Sequence, residues 1–212
     1  MSIKKFFLIL VAAIAIAGLI LGQQIKRAAS ITTKTKPIPL LSSFAVNLPI
    51  DKTDPLIGNP GAPLTLVEFT DLNCSQCERI HSLLYNFVEG HPKEARLIWK
   101  DAPAPSILWK NNNTIHEAAL CAGKQNQFWK FVGVAFGGKS DPAKIAETLK
   151  LDMNQWRECA AGETTKQKIS AATQLARSLG INSAPVIFVN NKMVNLTEEL
   201  DLTQMLNSFI AK

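Results

Sequence analysis

The chain has 212 residues, of which 47% are hydrophobic and 19% are charged, and its formal net charge is +6. This apolar fraction excludes a disordered chain, and four cysteines are too few for a miniature scaffold held together by disulfides. Basic and acidic residues are interspersed without a Lys/Arg stripe, which argues against a nucleic-acid partner.

The N-terminal segment has the pattern of an export signal. Lys4 and Lys5 precede the uninterrupted apolar run Phe6–Leu21, and uncharged residues continue to Ile25. This run approaches the length of a membrane-spanning helix, and the small-x-small pattern of a cleavage site is weak. We therefore predict a signal anchor over residues 1–25 and a single-pass cell-membrane protein with its domain on the extracytoplasmic side. The alternative is a cleaved signal peptide, which would leave a secreted or periplasmic protein.

A polar stretch separates this segment from the folded domain. Residues 26–48 are rich in threonine and contain two prolines near their centre, which is typical of an extended tether. Lys26 and Arg27 follow the apolar run, on the side predicted to be extracytoplasmic, where the positive-inside rule expects few basic residues. The predicted orientation therefore rests on the cysteines described below. We predict that the folded domain covers residues 49–212.

The first half of this domain predicts a strand, a helix and a second strand. The run Leu64–Thr70 is β-prone and nearly continuous, as in a strand buried on both faces. Apolar residues at helical spacing follow and stop near Gly90 and Pro92, before the β-prone run Ala95–Trp99. A strand, a helix and a strand in this order imply a parallel crossover unit.

The second half begins with a helical stretch over about residues 114–179. Thr114–Glu117 fits a capping box, and Asp141 and Asp152 are each placed to cap a further helix. The last helix is expected to end at Gly180, which favours a left-handed C-cap.

The C-terminal residues predict a hairpin and a final helix. Pro185–Val189 is a β-prone run, and Asn190–Asn191 favours a tight turn into a second strand. Leu200–Ile210 has the spacing of an amphipathic helix. These elements together predict a mixed α/β domain.

A pair of cysteines stands at the junction of the first strand and its helix, in the segment Cys74–Cys77. A cysteine at a helix N-terminus is favoured as a thiolate by unpaired N–H groups and by the helix dipole. We therefore expect Cys74 to be an exposed nucleophile and Cys77, turned toward the core, to be the resolving thiol. The alternatives are two ordinary core cysteines or a zinc half-site that includes His81, although no second paired motif completes the ligand set. Otherwise His81 is expected to be a partly exposed helix residue.

The other two cysteines, Cys121 and Cys159, both lie in the predicted helical stretch. Because an unpaired cysteine would be unusual in an exported chain, we predict that they form a structural disulfide with each other. A second redox relay is the alternative.

Two segments resemble the DsbA-like branch of the thioredoxin superfamily. Val67–Cys77 is similar to its active-site segment, and Leu179–Asn190 is similar to its cis-proline loop. The resemblance implies a thioredoxin fold with a helical insertion between its βαβ and ββα halves. It also implies thiol–disulfide exchange that uses no cofactor and no metal.

The resemblance assigns further site residues. Pro185 matches the cis-proline packed against the disulfide, and Ala184 matches the residue whose backbone groups receive a substrate strand. Glu68 matches the acidic position beneath the motif, and a carboxylate in an otherwise apolar strand is disposed to accept a proton from Cys77. The alternative places Glu68 at a strand end in water.

These features imply an oxidase that transfers the Cys74–Cys77 disulfide to exported polypeptides with free thiols and is recycled by a membrane redox partner. Ser75 and Gln76 carry no cation, so we expect a milder oxidant than the strongest relatives. A reductase, an isomerase or a non-catalytic, tethered peptide-binding module of the same fold remain alternatives. Isomerases of this superfamily usually carry an added dimerisation domain. Residues 23–49 leave no room for one, so an isomerase ranks lower than an oxidase.

Overall fold

The computed structural model of the chain describes residues 16, 18, 23, 41–104, 113–136, 141–197 and 200–210. The chain divides into two units, Met1–Ile38 and Pro39–Lys212. The first unit is described at three residues, all helical and exposed: Ile16, Gly18 and Gln23. The predicted signal anchor otherwise lies outside the described residues, as does the first part of the predicted tether. Among the described residues, no helix has both the length and the apolar character needed to span a membrane.

The described residues of the second unit form six strands and seven helices. The strands are β1 (Leu41–Ala45), β2 (Leu56–Gly58), β3 (Leu64–Thr70), β4 (Ala95–Asp101), β5 (Val186–Val189) and β6 (Lys192–Val194). The helices are α1 (Ser75–Gly90), α2 (Thr114–Gly123), α3 (Phe128–Ala135), α4 (Pro142–Thr148), α5 (Met153–Ala161), α6 (Glu163–Ser178) and α7 (Leu202–Ile210).

The six strands make one mixed sheet in the order β1-β6-β5-β3-β4-β2. Strands β3 and β4 are parallel, with Glu68 opposite Trp99, and every other neighbouring pair is antiparallel. Helix α1 makes the crossover between β3 and β4, and helices α2 to α6 are inserted before β5. The predicted thioredoxin-like α/β fold with its helical insertion is therefore confirmed for this unit.

The side chains of β3 alternate between two apolar layers because successive strand residues point to opposite faces. Leu64 and Leu66 pack with α1 and α7, whereas Val67 and Phe69 pack with α6. By this alternation Glu68 lies on the α1 side. The acidic residue is thereby directed into the interface between the central strand and the helix that begins after Cys74.

Three of the four predicted helix caps are present in the structure. Asp141 accepts a hydrogen bond from Ala143 N, and Asp152 caps α5 in the same way. Gly180 has φ +73° just beyond α6, a conformation that glycine adopts without strain. The predicted capping box at Thr114–Glu117 is wrong, because α2 begins at Thr114 itself. The residue before it has helical backbone angles and no capping side-chain hydrogen bond.

The boundary of the folded unit differs from the prediction. Residues 41–48 were assigned to the tether, but β1 pairs with β6, Val46 N donates to Asn191 O at 2.8 Å, and Leu48 is buried. An edge strand of five residues with two serines and a largely exposed Phe44 has the composition of a linker. Its pairing partner, more than 140 positions away, is not visible in the local sequence.

The insertion has a core of its own. Phe128, Phe131 and Trp156 are buried there in one cluster with Trp99 of β4, and Trp156 Nε1 donates to Ala118 O at 3.1 Å. A disulfide joins Cys121 of α2 to Cys159 of α5 with a Cα–Cα distance of 5.7 Å.

Candidate active site

The cysteine pair stands at the first turn of α1, and its two sulfurs are in different environments. Cys74 and Cys77 form a disulfide with a Cα–Cα distance of 5.1 Å, and Cys74 is the N-cap residue, whose Sγ accepts a hydrogen bond from Cys77 N at 3.0 Å. Cys74 is half-buried, whereas Cys77 is completely buried. A substrate thiolate can therefore reach only the first sulfur. The nucleophilic role of Cys74 stays a prediction, but this geometry is the one that it requires.

The loop before β5 lies against the first cysteine. The Ala184–Pro185 peptide bond is cis, and Ala184 O is 3.9 Å from Cys74 Sγ. Because β5 runs antiparallel to β3, the start of β5 meets the end of β3 at one edge of the sheet. Ala184 and Pro185 are both half-buried there, and their role in receiving a substrate strand stays a prediction.

Glu68, on the α1 side of β3, is 1% exposed, so the alternative that placed it in water is wrong. Its Oε1 is 2.7 Å from Nδ1 of His81, which is 4% exposed and lies one helical turn after Cys77. The expectation of a partly exposed His81 is therefore wrong. The four-residue spacing from Cys77 was the available signal, because residues four apart share one face of a helix.

Aromatic rings enclose the imidazole of His81. It is stacked on Trp129 with an interplanar angle of 6°, and it meets Trp99 edge-on with ring centroids 5.4 Å apart. These apolar rings lower the dielectric constant around the imidazole, which strengthens its hydrogen bond to Glu68. The described residues contain no cluster of three or more metal-ligating side chains, so the zinc alternative has no ligand set among them.

A second buried polar cluster escaped the sequence analysis. His116 of α2 is completely buried, with Nδ1 2.8 Å from Asp101 Oδ1 and Nε2 3.2 Å from Asp71 Oδ1. The two aspartates follow or end the parallel strands β3 and β4, whose carboxyl ends meet at one edge of the sheet. His116 lies inside the segment Thr114–Glu117, for which the sequence predicted only a capping box, and its helix brings the imidazole between these carboxylates.

Within this cluster the imidazole of His116 is the positively charged partner of the two carboxylates at neutral pH. Burial opposes protonation of His116, but hydrogen bonds and charge attraction from Asp101 and Asp71 prevail and raise its pKa to about 9. Burial likewise opposes the charge of Asp71, yet hydrogen bonds from His116 and from backbone N–H groups hold the pKa of Asp71 below its usual range. Asp71 O accepts the Cys74 N–H at 3.1 Å, so the cluster fixes the loop that presents Cys74.

We expect the stability contributed by His116 to disappear as the pH rises. The pKa of His116 is about 9 in the folded state and 6.5 in the unfolded chain, so protonation of His116 stabilises the fold. This contribution is complete below about pH 6.5 and is lost as the pH rises through 9. The difference corresponds to about 3 kcal/mol at most. Urea unfolding of the wild type and of His116→Gln at pH 6.5 and 9.5 should show the gap in unfolding free energy shrinking by most of that amount.

The control for this measurement is His91→Gln. His91 lies at the end of α1, where its Nδ1 bonds to Phe87 O, and it has no carboxylate partner among the described hydrogen bonds. Its unfolding free energy should follow that of the wild type at both pH values. A His116→Gln gap that is equal at pH 6.5 and 9.5 would contradict the assignment of a charged imidazole.

Comparisons with known proteins agree with this fold. A family model described as thioredoxin matches residues 51–208. The chain is 28% identical over 155 residues to the Na(+)/H(+) antiporter NhaA 1 of Salinispora arenicola, a match that covers 68% of this chain and 23% of the antiporter. The chain thus spans about a quarter of the length of the first curated relatives that it matches.

The matches to two further proteins cover most of the length of those proteins. The chain is 24% identical over 178 residues to "Disulfide bond formation protein D" of Bacillus subtilis, which covers 72% of this chain and 75% of that protein. The crystal structure of a thioredoxin-like oxidoreductase from Silicibacter pomeroyi matches with a TM-score of 0.62 and 27% identity, covering 76% of this chain and 92% of that one.

Proposed function

This chain belongs to the thioredoxin family, with the fold of the DsbA-type oxidoreductases, and we propose that it introduces disulfides into exported proteins through Cys74 and Cys77. One observation carries the proposal: a disulfide at the N-terminus of α1 has one half-exposed and one fully buried sulfur. The cis Ala184–Pro185 bond beside the half-exposed sulfur supports it. Cys159 and Cys121 show the same difference in burial, but both lie inside helices, so the position of Cys74 at the helix N-terminus is what favours a thiolate there.

The exchange begins when a substrate thiolate attacks Cys74 Sγ. A bond forms between the substrate sulfur and Cys74, the Cys74–Cys77 bond breaks, and Cys77 leaves with the electron pair. Glu68 supplies the proton that the Cys77 thiolate takes up. A second substrate thiolate then attacks the substrate sulfur and displaces Cys74, so the substrate gains a disulfide and the cysteine pair is left reduced. The helix N-terminus and the Cys77 N–H stabilise the departing Cys74 thiolate.

The proposed clients are exported polypeptides with free thiols, which lie along the cis-proline loop and bond to Ala184. The proposed site of action is the extracytoplasmic side of the cell membrane, to which residues 1–25 would anchor the domain. A membrane redox partner would reoxidise the cysteine pair. The similarity to a protein named for disulfide bond formation supports this direction of transfer.

Equilibration of the Cys74–Cys77 pair with glutathione tests the proposal. Ser75 and Gln76 are exposed and supply no cation to the Cys74 thiolate. We therefore expect a potential more negative than about −120 mV, the value of the strongest DsbA-type oxidant, but above about −270 mV, the value of thioredoxin. Gln76→His should raise the potential by about 30 mV, which corresponds to about 1.4 kcal/mol of thiolate stabilisation. A potential at the thioredoxin level would contradict the oxidase, and one at about −120 mV would contradict the milder oxidant.

A further inference from the structure

The interface between β3 and α1 holds three polar side chains that the exchange reaction can use. Cys77 and His81 lie one turn apart on the same face of α1, and both are buried. Glu68 enters the same interface from β3 and contacts His81 directly. The resolving cysteine, the carboxyl group and the imidazole therefore share one layer that excludes solvent.

The two oxygens of Glu68 are not equivalent. Oε1 is 2.7 Å from His81 Nδ1. Oε2 is buried and has no hydrogen-bond partner in the part of the chain that the structure describes. A buried carboxylate oxygen without a partner is costly to keep charged, and a proton on that oxygen removes the cost. Oε2 is consequently the atom of Glu68 best suited to carry a proton.

The orientation of the imidazole is held by its neighbours. Trp129 of α3 stacks on the ring, and Trp99 of β4 and Phe136, which follows α3, meet it at 5.4 and 5.1 Å between centroids. The titratable groups in contact with it are Glu68 and Tyr85, and burial, together with the charge of Glu89, raises the pKa of Tyr85. The other described ring neighbours carry no charge. The ring thus presents Nδ1 to one acceptor.

We propose that His81 is a positioning residue for proton transfer to Cys77. Its Nδ1–H holds Oε1 of Glu68, which leaves Oε2 to exchange the proton with Cys77 Sγ. When substrate attack breaks the Cys74–Cys77 bond, the electron pair stays on Cys77 and the proton moves from Oε2 to that sulfur. In the reverse step Oε2 removes the proton and Cys77 attacks the mixed disulfide. This inference rests on the proposed function.

The test follows the mixed disulfide through a single turnover. The reduced full chain is mixed with a peptide disulfide at pH values from 5 to 9, quenched in acid and analysed by mass spectrometry, so that formation through Cys74 and resolution by Cys77 are timed separately. His81→Phe keeps an aromatic ring but loses the donor, and we expect resolution at pH 7 to slow at least about tenfold. His81→Gln keeps an N–H donor and should resolve within about threefold of the wild type.

The matched control is His91→Gln, a substitution at the far end of the same helix. It should leave both formation and resolution unchanged. If His81 served only to fill space among the aromatic rings, the order would reverse: His81→Phe would resolve like the wild type and His81→Gln would be the slower variant. That reversal would overturn the proposal.

A second background separates positioning from other effects. In Glu68→Gln, which cannot exchange the proton, His81→Phe should cause no further slowing and no further change in the pH profile. If His81→Phe slows resolution by the same factor in the Glu68→Gln background as in the wild type, its effect does not act through Glu68. That result would overturn the proposal, also for a variant that folds poorly. Failure of the wild type to form any mixed disulfide would instead reject the exchange at Cys74, so the two failures are distinguishable.

Discussion

Replacing Cys74 by serine is expected to lower disulfide transfer more than about 1,000-fold, because the protein loses the only sulfur of the pair that a substrate can reach. Replacing Cys77 by serine should instead trap a mixed disulfide when the reduced variant is mixed with a peptide disulfide, because Cys74 attacks that disulfide and the protein has no Cys77 thiol to resolve the product. The assay follows the oxidation of a reduced two-cysteine peptide, with glutathione disulfide as the recycling oxidant. Intact-mass measurement after acid quenching identifies the trapped species.

Alkylation of the reduced native protein provides an independent check of the same asymmetry. Iodoacetamide should modify Cys74 rapidly, and at a pH well below the pKa of about 8.5 of a free thiol, because the helix N-terminus favours its thiolate. The buried Cys77 should react only after unfolding. Undiminished peptide oxidation by Cys74→Ser would favour the non-catalytic peptide-binding module. A Cys74 that titrates like a free thiol would remove the physical basis of the exchange.

The elements that were predicted correctly are those whose pattern is local. The run Leu64–Thr70 shows the apolar continuity of a central strand, and the spacing of apolar residues after Cys74 shows one buried helix face. The turn at Asn190 and Asn191 was equally visible, since both residues adopt the positive φ angles of a tight hairpin. Each of these features is decided within a few residues of chain.

The strands that were missed have too few residues to show a period. β1 has five residues and β2 has three, and each is paired on a single side with a distant strand. The polar surroundings of Leu41–Ala45 resemble those of the preceding tether. Their assignment to the sheet depends on partners that only the folded chain brings near.

The same distinction separates the two parts of the site. The spacing of Cys74 and Cys77 and the loop around Pro185 could be found from the sequence, because each signature is contiguous. The burial of His81 and His116 could not, since a histidine on a helix has the same local pattern whether its face is exposed or covered. His116 meets Asp71 across 45 positions of sequence, and only the parallel pairing of β3 and β4 brings Asp101 to the same place.

Replacing both Cys121 and Cys159 by alanine is expected to destabilise the folded unit by about 4 kcal/mol, which is the loop-entropy value for a separation of 38 residues. Thr165 strengthens the link between the helices, since it donates to Cys159 O at 2.9 Å and lies within 4 Å of both sulfurs. Urea unfolding followed by tryptophan fluorescence measures the loss, because Trp156 is buried one turn from Cys159.

A matched comparison distinguishes this structural link from a second redox relay. Cys74→Ala with Cys77→Ala opens a loop of only three positions, so it should destabilise the unit much less than the pair in the insertion. Cys121 is 1% exposed, so a client thiolate has no access to its sulfur, and the half-buried Cys159 lies within α5 rather than at a helix N-terminus that would favour its thiolate. The chain lacking Cys121 and Cys159 should therefore still form and resolve the mixed disulfide at Cys74 below its unfolding temperature. Loss of that exchange in a folded sample would mean that electrons pass through the second pair and that its role is catalytic.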